Sequence, residues 1–296
     1  MNLLTMQGSI ELGIIYSIMA LGVFISFRTL EIPDMTVDGS FVLGAAVSAV
    51  LCMKDNPILG ILFAIAAGSL AGCITALLHT KLNIQPLLAG ILTMLALYSI
   101  NLKVMDKKPN ISLLNKKTIY NVFDKSNVAD YTGLIISFIF LLGVMIILVF
   151  FLKTKLGLAL RATGDNEYMV RALGTNTDMT KIIGLAISNG LVALSGALIA
   201  QYQCFSDVSM GLGMVTVGLA SVIIGEVVFG IKSLIRRLVA VILGAILYRL
   251  IVAFAFDLGM PPNDLKLVSA VIVTIALSMT TIRKRFILLK KRIGNV

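Results

Sequence analysis

Apolar residues fall along this chain in long runs separated by polar stretches: 8–28, 39–53, 57–78, 85–102, 132–152, 182–201, 211–229, 237–256 and 266–282. Most approach the roughly 17–25 residues that a helix needs to cross a hydrocarbon core near 30 Å thick. They lack the period-two alternation of membrane-spanning strands, so the pattern predicts helices and not a β-barrel. Two places break the regularity. The second run is short, and 79–90 (HTKLNIQPLLAG) holds a proline inside apolar sequence, so each is a candidate for a broken or partly inserted helix. The expected number of spans is therefore about eight to ten.

Composition agrees with the pattern. Hydrophobic residues make up 58% of the chain and charged ones 14%, where soluble domains are about half apolar and a quarter charged. The predicted fold class is all-α, a polytopic helical membrane protein in which residues 1–296 form a single transmembrane domain. The first run follows an uncharged start (MNLLTMQ) and is long enough to span, so it is expected to be retained and not cleaved as a leader.

Lys and Arg set the expected orientation. The tail Arg283–Arg292 carries six basic residues and no acid, and Lys232, Arg236 and Arg237 crowd another connection, so both are placed in the cytoplasm. Counting back from the tail puts the polar stretch 153–181 inside, with five basic residues (Lys153, Lys155, Arg161, Arg171, Lys181) against three acids. The same count puts the N-terminus and 103–131 outside, despite that loop's six lysines; longer loops cross with less regard to charge.

Candidate chemistry is sparse. The net charge of +10 lies at segment ends and not on a basic face, which speaks for membrane lipid and against nucleic acid as the partner. Three scattered cysteines (Cys52, Cys73, Cys204) give no disulfide or metal framework, and a single histidine, His79, cannot build a metal cluster or catalytic triad. Gly225–Ser233 (GEVVFGIKS) approaches a phosphate loop, but Ile231 intrudes between Gly230 and Lys232 and breaks the register. No metal, cofactor or catalytic residue is expected, and any uphill work must draw on an ion gradient or a partner. Glycines in the runs, among them the Gly68/Gly72 pair, suit close helix packing.

Polar groups inside apolar sequence are costly and usually face a cavity or a partner. Between the first two runs, EIPDMTVDGSF sets Asp34, Thr36 and Asp38 beside Pro33 and Gly39, ahead of the shortened segment. Unwound backbone is tolerated at membrane depth where it lines a cavity, so these three residues are candidates for a path through the membrane. Gln85 and Asn101, at segment ends, are weaker candidates. Glu226 and Arg249, in neighbouring segments, are candidates for an ion pair.

The stretches GIIYSIMALGVFISFRTLEIPDMTVDGSFVLGAAVSA and RATGDNEYMVRALGTNTDMTKIIGLAISNGLVALSGALIAQY resemble the permease subunits of ABC importers of the branched-chain amino acid and ribose type. DMTVDGSF and QPLLAGILTMLALYSINL are more similar to a tryptophan/tyrosine transport subgroup. Where the wider family commonly carries an Asn-Phe-Ala-His-Gly turn, this chain has Asp34–Gly39, which weighs against branched-chain amino acids as the solute. The resemblance, which covers nearly the whole chain, implies two permease copies forming a pore, two copies of a separate ATP-binding subunit beneath them, and an extracellular substrate-binding protein. It also implies that Arg161–Gly174 forms a coupling helix seated in the ATPase. In that helix Asp165 or Asn166 would cap the start, Met169, Val170 and Leu173 would form an apolar face, and Arg161, Glu167 and Arg171 would surround it, with Gly174 at its end. An ion-gradient secondary transporter is the alternative, disfavoured by the absence of clustered acids or histidines in the runs.

Overall fold

The structure is a computed structural model that describes residues 3–123, 131–231, 233–260 and the single positions 264, 267, 270, 271, 274 and 278. The basic tail, Lys232 and most of the ninth apolar run lie outside the described residues. Seven described helices are long and apolar enough to cross a membrane, and an eighth, shorter apolar helix joins them.

Helix α1 (Leu3–Val23) continues through a π-helical turn, Phe24–Thr29. Helices α2 (Thr36–Met53), α3 (Pro57–Thr80) and α4 (Pro86–Val104) follow. The suspected break at 79–90 is absent: Pro86 takes the first position of α4, where a missing N–H costs nothing. After α5 (Thr132–Lys153) come two short helices, α6 (Lys155–Asp165) and α7 (Glu167–Ala172). The described part closes with α8 (Thr177–Gln203), α9 (Met214–Phe229) and α10 (Leu234–Asp257).

Helices α1, α2 and α8 form the centre, and α3, α4 and α5 are turned largely outward. Side chains fill that centre: Ile15, Ile18, Met19, Leu21, Phe41 and Leu198 are fully buried. Small residues set the spacing, since a Cβ at Gly44 would strike the Ala193 carbonyl and one at Gly68 the Ala193 side chain.

The two ends of the bundle are distinct. At one, β1 (Asn110–Ser112) pairs antiparallel with β2 (Phe205–Asp207), and Gln201 ties the Ile119 N–H to Ser48 and the Pro57 carbonyl. Segment 103–123 therefore closes over the ends of α2, α3 and α8. At the other end the 153–181 stretch packs against the end of α1 and the start of α8. The two polar stretches stand at opposite ends, as the segment count requires.

Candidate functional site

Two helices begin inside the bundle instead of at its ends. Ser40 and Gly44 of α2 sit beside Asn189 and Ala193 of α8, so the two helices run parallel and Thr36 lies level with Leu185. That is about eight residues, or roughly 12 Å, along α8 from its start. Residues 30–35 reach this depth as an irregular segment: it turns at Glu31, whose φ is 54°, and buries Leu30, Ile32 and Asp34. Helix α9 is the counterpart from the opposite end. After β2 the chain re-enters the bundle and starts α9 at Gly213, whose φ of 88° favours glycine. At 16 residues, or roughly 24 Å, α9 falls short of a full span.

Asp34, Thr36 and Asp38 stand at these two starts. Asp34 Oδ1 accepts the Thr36 N–H at 2.9 Å and Oδ2 accepts Asn189 Nδ2 at 2.7 Å. Asn189 Oδ1 in turn accepts the Ser40 hydroxyl at 2.7 Å, and the Thr36 and Thr75 hydroxyls meet at 2.8 Å. The Asp38 carboxylate accepts the Gly213 and Val215 N–H groups at 3.0 and 2.9 Å, placing negative charge on the N-terminus of α9. Asp34 thus ties the start of α2 to α8, and Asp38 ties the start of α9 to α2. Asp34 and Thr36 are wholly buried, and Asp38 lines a cavity.

That cavity, of about 140 Å3, lies between α2, α4 and residues 208–212, with Asp38, Val42, Leu95, Tyr98, Asn101 and Leu212 in its wall. Asn101 Nδ2 donates to the Gly39 carbonyl at 3.2 Å. The structure thus brings Asn101 to Asp38, while Gln85 remains apart, exposed at the far end of α4. The expected Glu226–Arg249 pair does not form. Glu226 accepts from Arg28 at 2.9 Å, and the Arg249 guanidinium lies 4.3 Å from the centre of the Tyr16 ring.

The 153–181 stretch corrects the expectation of one coupling helix over Arg161–Gly174. Arg161 and Asp165 belong to α6, which starts earlier, capped by Thr154 Oγ1 accepting the Gly157 N–H at 3.2 Å. Asn166, not Asp165, caps α7, its Oδ1 accepting the Met169 N–H at 3.1 Å. A Schellman turn ends α7: Gly174, at φ 80°, donates to the Arg171 carbonyl and Thr175 to that of Val170. Nor do Met169, Val170 and Leu173 share one face. Val170 is 3% exposed and packs inward, whereas Tyr168, Met169 and Leu173 are 85, 57 and 72% exposed. Tyr168, unremarked in the sequence, is the most exposed apolar residue of this face.

Glu167 and Arg171 are engaged inside the chain. Glu167 bonds Lys181 at 2.8 Å and Arg171 at 2.9 Å, and Arg171 reaches Asp178 at 3.2 Å. Partial burial opposes ionisation of Glu167, but Lys181, Thr177 and Arg171 outweigh it and hold the carboxyl below its ordinary value. Arg161 is exposed. Helix α6 is wedged in place, because Gly164 leaves no room for a Cβ against the Thr29 carbonyl and Thr163 and Thr180 share a hydrogen bond of 3.0 Å.

A helical membrane chain with interrupted helices at its middle and a braced apolar face at one end has the build of a transport subunit. The family model for the branched-chain amino acid transport system permease component matches residues 5–278, and the chain belongs to that family of ABC-type permeases. It is 43% identical over 262 residues to the tyrosine transport system permease protein of Clostridioides difficile (strain R20291), covering 88% of this chain and 86% of that one. An uncharacterized protein of Rickettsia prowazekii (strain Madrid E) is 37% identical over 274 residues, 91% of this chain and 95% of its own. The ribose import permease protein of Escherichia coli (strain K12) is 23% identical over 265 residues, 88% and 80% of the two chains. No solved structure gives a significant match.

Proposed function

We propose that this chain forms the translocation path of an ABC importer for a small polar solute, an amino acid of aromatic type, and is driven through alternating access by two copies of a partner ATPase. One observation carries the reading: α7 presents Tyr168, Met169 and Leu173 to the outside while Val170, Glu167 and Arg171 fix it to the body of the protein. Exposed apolar residues on a rigid support, at the end of the molecule that carries the polar 153–181 stretch, suit a cleft in a soluble partner.

The contacts at this end suggest how force would travel. Movement of α6 and α7 reaches Thr29 and Leu30 through Gly164 and Leu160, and α8 through Lys181. Residues 30–35 continue into the starts of α2 and α9, which Asp34 and Asp38 hold, so these carboxylates would transmit a push to the middle of the bundle. Asp34, Thr36, Asp38 and Asn101 thereby serve the path, with Gln85 at its mouth. Because side chains fill the described centre, the path runs at a surface of the bundle, which calls for a second permease copy, a homodimer. An extracellular binding protein would deliver the solute and the C-terminus would be cytoplasmic. The tyrosine system permease among the relatives supports an aromatic solute.

The test is reconstitution of the complex and measurement of solute-stimulated ATP hydrolysis with tyrosine. Leu173→Asp should abolish assembly with the ATPase while the permease still accumulates, because it puts an unpaired charge into the interface at a cost of several kcal/mol. Val170→Asp should instead destabilise the permease itself. Intact assembly and stimulation in Leu173→Asp would remove the coupling role.

A further inference from the structure

We propose that the cavity between α2, α4 and residues 208–212 is a subsite for a phenol-sized ring carrying a single hydrogen-bond donor. The inference rests on reading the chain as a solute permease and names the group its path would grip. Size is the first argument. The cavity is about 140 Å3, and apolar protein cavities near 150 Å3 take benzene.

The second argument is one acceptor without a donor. Asn101 is 1% exposed, in the last turn of α4, and lines the cavity. Its Nδ2 donates to the Gly39 carbonyl, which fixes the orientation of the amide. Its Oδ1 is buried and has no hydrogen-bond partner. A buried acceptor left unpaired is costly, and a ligand hydroxyl that reaches it removes that cost.

The rest of the wall restricts the ligand further. Val42, Leu95 and Leu212 are apolar, and Asp38 spends its oxygens on the start of α9. A carboxylate group finds no counter-charge among these residues, and an ammonium would have to share the Asp38 oxygens with the N–H groups at the start of α9. A plain hydrocarbon ring gains little by leaving lipid for an apolar cavity. Discrimination therefore falls to the contact with Asn101, so that a phenol is held better than the same ring without its hydroxyl.

The experiment uses the full chain in membrane vesicles, with Cys52, Cys73 and Cys204 replaced by Ala and Leu212→Cys as the reporter. Labelling by N-ethylmaleimide is followed as p-cresol or toluene is added. In the protein with Asn101, p-cresol should protect at a concentration about tenfold lower than toluene, the value of one good hydrogen bond. In Asn101→Leu the two should become equal. Leu95→Trp, which fills the cavity from its exposed wall, should abolish protection by both, and toluene protection retained in Asn101→Leu shows that this variant is folded. Equal protection in the Asn101 protein, or protection that survives Leu95→Trp, overturns the subsite. ATPase co-purification from the same membranes tests the permease reading separately: a captured ATPase without p-cresol preference leaves the permease and removes the subsite.

Discussion

Asp34 shows how a carboxylate comes to lie in the middle of an apolar bundle with no ion pair among the described residues. Each of its oxygens accepts a hydrogen bond, one from the Thr36 N–H and one from Asn189 Nδ2, and these donors replace part of the lost hydration. Removing the carboxylate leaves the Thr36 N–H and one Asn189 Nδ2–H buried and unpaired, at about 1–3 kcal/mol each, while the other Asn189 N–H keeps the Leu185 carbonyl. Asp34→Ala should therefore lower the melting temperature of the purified permease, and Asn189→Ala should cost less in the Asp34→Ala background than alone, keeping only the loss of its contacts with Ser40 and the Leu185 carbonyl. Strict additivity of the two substitutions in a double-mutant cycle would mean that the contact carries no energy. Asp38 makes a different prediction possible in principle at α9, but its two bonds are to backbone, so a side-chain cycle is informative only at Asp34.

Within one element, α7 ties its position to the charge of Glu167. The folded carboxyl titrates below its ordinary value, so its contribution is present above the usual glutamate range, about 4.3, and is lost as pH falls through the lower folded value. Amide exchange in residues 167–172, corrected for the intrinsic rate, should keep its protection down to about pH 4.3 and lose it below. Glu167→Gln should show weaker protection at neutral pH and no such step; an unchanged step in that variant would assign the titration to another group. The same stretch marks the limit of what the residues reveal in order. Asn166 was legible as a cap and Gly174 as an end, since both signals are local. The rotation of α7 was not, because Val170, Met169 and Leu173 are all apolar and only packing against the rest of the chain decides which turns inward. Helix α6 was missed because KLGLAL holds a glycine and no long apolar period. The shortness of α2 was readable from its length and from the acids before it, whereas the late start of α9 was hidden by Gly211 and Leu212, which extend the apolar run past the point where the helix begins.

At the scale of the molecule, the sidedness of the two polar stretches rests on two independent observations. The pairing of β1 with β2 and the bonds of Gln201 gather 103–123 with the turns after α2 and α8 at one end, and Gly164, Thr29 and Lys181 gather 153–181 at the other. The structure fixes that these ends are opposite, and the basic residues choose which one is cytoplasmic. Six lysines in 103–131 pull against five basic residues in 153–181, so the tail Arg283–Arg292 and the Arg236/Arg237 pair decide the balance. A cysteine at Asn115 and one at Tyr168, both at exposed positions, read the outcome directly in a background lacking the native cysteines. With intact cells and a membrane-impermeant maleimide, Asn115→Cys should label at once and Tyr168→Cys only after the membrane is opened. Co-expressed ATPase should then slow the labelling of Tyr168→Cys in opened membranes, because the same residue lies on the proposed docking face. Labelling of Tyr168→Cys but not Asn115→Cys in intact cells would invert the topology and place the exposed face of α7 where no ATP-driven partner could reach it.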